Sequence, residues 1–110
     1  MSRLDQQEYQ GLAEACLARV ARWLEGFDPD EVDYSSGDGK LQLEFPDGAR
    51  FVLNRQSAAA QMWFAAAARG WHYDWDPTRQ TWIDDRDGHD FYQNLAAVVS
   101  QKLGHPVAAP

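Results

Sequence analysis

Apolar side chains change their spacing twice along these 110 residues. From Asp5 to Phe27, the residues Tyr9, Leu12, Cys16, Val20, Trp23 and Phe27 recur at steps of three and four, the stripe of an amphipathic helix. Gly26 and Pro29 should end it, since glycine suits a left-handed cap and proline cannot continue a helix interior. A short strand is expected around 32–35. The turn Gly37-Asp38-Gly39 then leads into Leu41-Gln42-Leu43-Glu44-Phe45, whose period of two predicts a half-buried strand. Pro46-Asp47-Gly48 should turn the chain into 49–54 as an antiparallel hairpin. Strand-like segments follow at 61–65, 70–75 and 80–84, the last two rich in aromatics. Phe91, Leu95, Val98, Val99 and Leu103 mark one face of a second helix, ended by Gly104 and Pro106.

An uninterrupted run of short strands between two helices favours an α+β two-layer sandwich. An antiparallel sheet would carry the N- and C-terminal helices on one face. A hydrophobic share of 45% is enough for one core without staples, so residues 1–110 are read as a single domain. Cys16 is the only cysteine, which excludes an internal disulfide and a thiolate-held cluster; its place on the helical stripe predicts a buried, inert thiol. No stretch approaches the ~20 apolar residues of a membrane span, and the simplest address is a reducing cytoplasm.

Charge narrows the partners. Seventeen acidic residues against ten basic ones give a formal charge of -7, a field that repels phosphates and favours cations and basic protein surfaces. Glu25, Asp28, Asp30, Glu31 and Asp33 place five carboxylates within nine positions with no base among them. Crowded like charges repel, a bound cation relieves that repulsion, and carboxylates suit calcium, manganese and iron alike. No EF-hand spacing is present, and on its own the segment reads as a solvated loop. Asp5 and Glu8 extend the acidic surface near the first helix start, where acids also favour the helix dipole.

A second constellation is Asn54, Arg55, Gln56 and Trp63, read as one strand surface. Alternation sets Trp63 beside polar Gln61 and against Met62 and Phe64, so the ring faces outward, and Trp and Arg are residues that anchor interfaces. His72, His89 and His105 lack the four-residue spacing of a helical metal pair; His72 is read as a sheet-surface residue. Asp84, Asp85, Asp87 and Asp90 should shape a turn around Gly88 and cap the last helix. No nucleophile elbow, phosphate-cradling glycine loop or zinc-hydrolase pair is present, and no enzymatic activity is expected.

Taken in order, Leu53-Asn54-Arg55-Gln56, Gln61-Met62-Trp63, Tyr73-Asp74-Trp75, Trp82-Ile83 and Asp85-Arg86-Asp87-Gly88 resemble the bacterial frataxin (CyaY) family over residues 4 to 104. The resemblance implies the frataxin fold and weak iron binding by acids of the first helix and first strand. It also implies action as regulator or iron donor in iron-sulfur cluster assembly, on a cysteine desulfurase and its scaffold protein. Arg19 and Arg22 among Glu14 and Glu25, and Ser35 and Ser36 after Tyr34, depart from the family's dense acidic ridge and weigh against loading at many sites. The iron ligands expected are therefore Glu25, Asp28, Asp30, Glu31 and Asp33, with Asp5 and Glu8, and the expected docking residues are Asn54, Arg55, Gln56 and Trp63. A monomer is expected, with iron-dependent oligomerisation as the alternative. The rival readings are an acidic interaction module without an iron role, and a ferroxidase.

Overall fold

The computed structural model describes residues 4–110. The first helix, α1 (Gln6–Leu24), starts at Asp5, whose side chain accepts from the Glu8 N–H at 2.8 Å and satisfies one of the orphan donors of the first turn. Its buried stripe is Tyr9, Ala13, Cys16, Val20 and Leu24. Leu12 and Trp23 are half-buried at its margins. The helix ends three residues before Phe27, and Gly26 is not in the left-handed region. The last turn tightens instead: Gly26 N–H and Phe27 N–H bond back to the carbonyls of Trp23 and Leu24, so those acceptors need no glycine cap. The second helix, α2 (Phe91–Leu103), follows its sequence signals closely, with Asp90 accepting from Gln93 N–H and Gly104 at φ +80 as the left-handed stop.

Between them the chain runs as a six-stranded antiparallel meander: β1 (Asp33–Gly37), β2 (Lys40–Glu44), β3 (Arg50–Gln56), β4 (Gln61–Ala66), β5 (Arg69–Asp76) and β6 (Thr81–Asp84), each paired with the next. A 3-10 turn at Ser57–Ala59 joins β3 to β4. Register sorts the side chains into two faces. Leu41, Leu53, Phe64 and Trp71 form one inner row across β2 to β5, and Arg55, Met62, Tyr73 and Asp84 form another. Lys40, Asn54, Trp63 and His72 form an outer row.

Both helices cover the inner face. Tyr9 of α1 meets Trp82 edge-on at 6.3 Å, and Phe91 of α2 meets Phe64 and Tyr73 at 5.6 and 5.2 Å. Edge-to-face rings of this kind add to the area they bury. The helices also touch each other, with the Arg19 guanidinium 3.9 Å from the Tyr92 ring centroid. Cys16 is buried and its thiol is pushed up to about 12 by desolvation, which keeps it protonated and inert. No described helix is long and apolar enough to cross a membrane.

Beyond α2 the tail returns along the helices. Val107 N–H donates to Ser100 Oγ, Trp23 Nε1 to the Ala108 carbonyl at 2.9 Å, and Arg19 to the Pro110 carbonyl at 2.7 Å. His105 Nε2 lies 2.8 Å from Glu31 Oε2, and that hydrogen bond raises the His105 pKa above its ordinary 6.5. Removing residues 105–110 should therefore lower unfolding free energy by about 1–3 kcal/mol in urea titration, while a loss under ~0.5 kcal/mol would mean the tail is merely laid on the surface. Because the His105 pKa is raised by folding, its share of the stability is present below about pH 6.5. It fades as pH rises through the elevated value, so the truncation penalty should shrink in that direction.

Candidate functional site

The acidic segment lies at the open end of the sheet, between the last turn of α1 and the edge strand β1. Asp28 organises it: its carbonyl accepts from Glu31 N–H and Val32 N–H, and its side chain accepts from Asp30 N–H at 2.9 Å. Val32 is buried beneath, which pins the turn and leaves Asp28, Asp30 and Asp33 exposed. Asp33 accepts from the Tyr34 N–H, Glu25 takes the Tyr34 hydroxyl at 3.3 Å, and Glu31 takes His105. Glu25, Asp28, Asp30 and Asp33 are exposed and Glu31 is half-buried, but no three of these carboxylates converge. Among the described residues, only Asp84, Asp87 and His89 bring a ligand atom each within 4.8 Å of one another. The segment offers concentrated charge without a cage, an arrangement suited to a hydrated, loosely held cation.

Asp5 and Glu8 do not join this group. They sit at the opposite end of α1, roughly 30 Å away by helix rise. Asp5 is held below the usual carboxylate range by the Glu8 N–H, and Glu8 is raised by its hydrogen bond to Asp5. Asp5 caps the helix start, and Glu8 stands beside it in the first turn.

The Asp84, Asp87 and His89 group was not singled out by the sequence, beyond the expectation that these aspartates shape a turn. They do: Asp84 Oδ2 accepts from Arg86 N–H and Asp87 N–H. His89 uses both ring nitrogens, with Nδ1 2.6 Å from Asp87 and Nε2 2.7 Å from the Tyr73 hydroxyl, which itself accepts from Asn94. Donors therefore run in one direction, Asn94 to Tyr73 to His89 to Asp87, and this order assigns the His89 proton to Nδ1. With both ring nitrogens engaged, His89 has no free lone pair for a metal. The cluster locks the turn between β6 and α2.

The expected docking surface divides in two. Asn54, Gln56 and Trp63 lie on the outer face, whereas Arg55 lies on the inner one, in register with buried Met62. The reason is the period of two itself, which places Arg55 with Leu53 and Phe51. Arg55 is ion-paired with Glu14 of α1 and packs on Gly39, whose φ is +73 and where a Cβ would come 2.6 Å from Arg55 Nε. It ties the β1–β2 turn, β3 and α1 together. On the outer face Trp63 is half-buried, stacked on His72 with centroids 4.2 Å apart and planes 14° from parallel, and its Nε1 donates to Gln61 Oε1 at 2.9 Å. His72 is thus the sheet-surface residue expected of it. Among the contacts that sequence could not signal is Glu31 with His105, 74 positions apart.

With this geometry in hand, comparison with known proteins is specific. A model of the frataxin-like domain matches residues 2–105. The iron-sulfur cluster assembly protein CyaY of Dechloromonas aromatica is 36% identical over 104 residues, 94% of this chain and 97% of the relative. The solved frataxin of Psychromonas ingrahamii superposes with a TM-score of 0.84 at 30% identity, covering 94% of this chain and 96% of its own. Trimeric yeast frataxin, in complex with ferrous iron, shares the fold at a TM-score of 0.67 and 20% identity, over 94% and 90% of the two chains. A meander with both helices on one face, the ordered motifs from Leu53 to Gly88 and a family match over nearly the whole length lead to one conclusion: the chain belongs to the frataxin family.

Proposed function

We propose that this protein is a non-enzymatic, cytoplasmic regulator or iron donor of iron-sulfur cluster assembly that binds iron weakly at Glu25, Asp28, Asp30, Glu31 and Asp33. In this reading it docks on a cysteine desulfurase and scaffold complex. The observation that carries the reading is the exposed block of carboxylates on the edge between α1 and β1, in a chain of the frataxin family. The names of its relatives, which are iron-sulfur cluster assembly proteins, support the pathway. The ferrous iron of the yeast neighbour supports the cargo.

Physical chemistry sets how such a protein would work. Exposed carboxylates held by one turn can exchange water for iron quickly and release it as quickly, which suits a carrier or sensor rather than a store. The same charge would steer a basic partner surface toward the edge. Asn54, Gln56 and Trp63 would supply the desolvated contact, since a ring already fixed by Gln61 and His72 loses little freedom on docking. Arg55 would act through the fold, by holding β3 to α1, and Asp5 and Glu8 would contribute only to the general field.

Two outcomes are expected. Anaerobic titration with ferrous iron, followed by NMR, should broaden residues 25 to 33 first, with micromolar or weaker affinity, and manganese and calcium should compete. Broadening centred on His72 or on the Asp84, Asp87 and His89 group, with the acidic segment untouched, would refute the carboxylate site. In binding to the desulfurase, changing Asp28, Asp30 and Asp33 together to Lys should flatten the salt dependence, because exposed charges are screened over ~8 Å at physiological ionic strength. Trp63→Ala should cost ~2 kcal/mol or more and leave the salt slope nearly unchanged. A triple variant with the wild-type slope would mean that the edge is not the docking site.

A further inference from the structure

Around Trp63 the outer face is built more deliberately than a platform for one ring requires. Gln61 is used at both ends: its Oε1 accepts from the indole, and its Nε2 donates to Asp74 Oδ1 at 3.0 Å and to Asp85 Oδ2 at 3.1 Å. One amide group has two hydrogens, so each carboxylate takes one, and a flipped amide would turn its oxygen against both acids. The orientation of Gln61, and through it of the indole, is therefore fixed by the two aspartates. Those oxygens, each about 3 Å from the same nitrogen, lie no more than about 6 Å apart.

A neutral amide satisfies hydrogen bonds without cancelling charge. Among the described residues, neither Asp74 nor Asp85 has a Lys or Arg nitrogen within 4.0 Å; the nearest basic group is His72, whose Nδ1 is 3.9 Å from Asp85 Oδ2. The imidazole is itself stacked on Trp63 and its side chain is 47% exposed. Two uncompensated carboxylates thus border two flat rings on one open surface. A metal ion would need a third converging ligand, and none comes close enough. A guanidinium needs none: it is planar, stacks on aromatic faces, and spreads its donors widely enough to meet two separate carboxylates.

We propose that Asp74 and Asp85, together with the Trp63 and His72 rings, form a recognition site for an arginine side chain displayed by the docking partner. This rests on the reading of the Trp63 face as a docking surface and names the chemistry it selects. It also separates two kinds of electrostatic recognition in one molecule. The edge at 25–33 attracts any cation, while the outer face reads the shape of one.

The test uses the intact protein and two blocked tripeptides, Gly-Arg-Gly and the isosteric Gly-citrulline-Gly, followed by NMR at the Trp63 indole and the Gln61 side-chain amide. The arginine peptide should shift both signals, the citrulline peptide should not, and D74N/D85N should weaken the arginine response by about fivefold or more. The peptide comparison needs no variant, so a folding defect cannot mask the answer. Equal effects of the two peptides, shifts confined to residues 25–33, or an unchanged response in D74N/D85N would each overturn the inference. Binding to the desulfurase and scaffold complex distinguishes the two levels. Loss of affinity in both W63A and D74N/D85N supports the arginine site. Loss in W63A alone overturns it and leaves the docking face standing, and loss in neither overturns both.

Discussion

At the centre of the molecule, rings from both helices meet rings from the sheet: Tyr9 against Trp82, and Phe91 against Phe64 and Tyr73. This contact places both helices on one side and leaves the other side of a six-stranded sheet without a cover. In a sheet of period two, every residue committed inward by that core commits its neighbours outward. Trp63 is on the surface because Met62 and Phe64 are not. The same packing decides the edge. Since α1 ends over the β1 side of the sheet with Val32 buried, the residues around Val32 have nowhere to go but solvent, and they are the acids.

The two surfaces that result differ in the alignment of their groups as well as in chemistry. The acidic turn is held by Asp28 and capped by contacts with Tyr34 and His105, so its carboxylates are concentrated but not aligned. The outer face is the reverse, with an indole fixed by a glutamine that is fixed by two aspartates. A loosely held cation and a specific protein surface would make these opposite demands, and a scaffold with one exposed acidic edge and one open face could meet both. The inner arginine, Arg55, joins neither surface; it fastens the strand that carries Asn54 and Gln56 to α1 through Glu14.

Much of this was legible in the sequence because it depends on local period. The helix stripes, the hairpin at Pro46-Asp47-Gly48, the caps at Asp90 and Gly104 and the outward Trp63 all follow from spacing or from a single residue's conformational preference. The misplacement of Arg55 came from grouping it with its polar neighbours when alternation separates them. The expected left-handed cap at Gly26 gave way to a tightened turn, a choice between two ways of satisfying the same carbonyls. What no local pattern carries is contact between distant segments, such as His105 with Glu31, Gln61 with Asp85, or His89 with Tyr73. Those depend on where strands and tail come to rest. They add His89 and Tyr73 to the aspartates expected to shape the turn before α2.

On the proposed reading, one partner complex engages the acidic edge and the outer sheet face at the same time and leaves α2 free. Hydrogen–deuterium exchange of the protein alone and bound to the purified desulfurase and scaffold tests this directly. The account predicts added protection in two separated stretches, 25 to 36 and 61 to 76, with α2 exchanging as it does in the free protein. Protection confined to α2 and the tail, with both stretches unchanged, would contradict it.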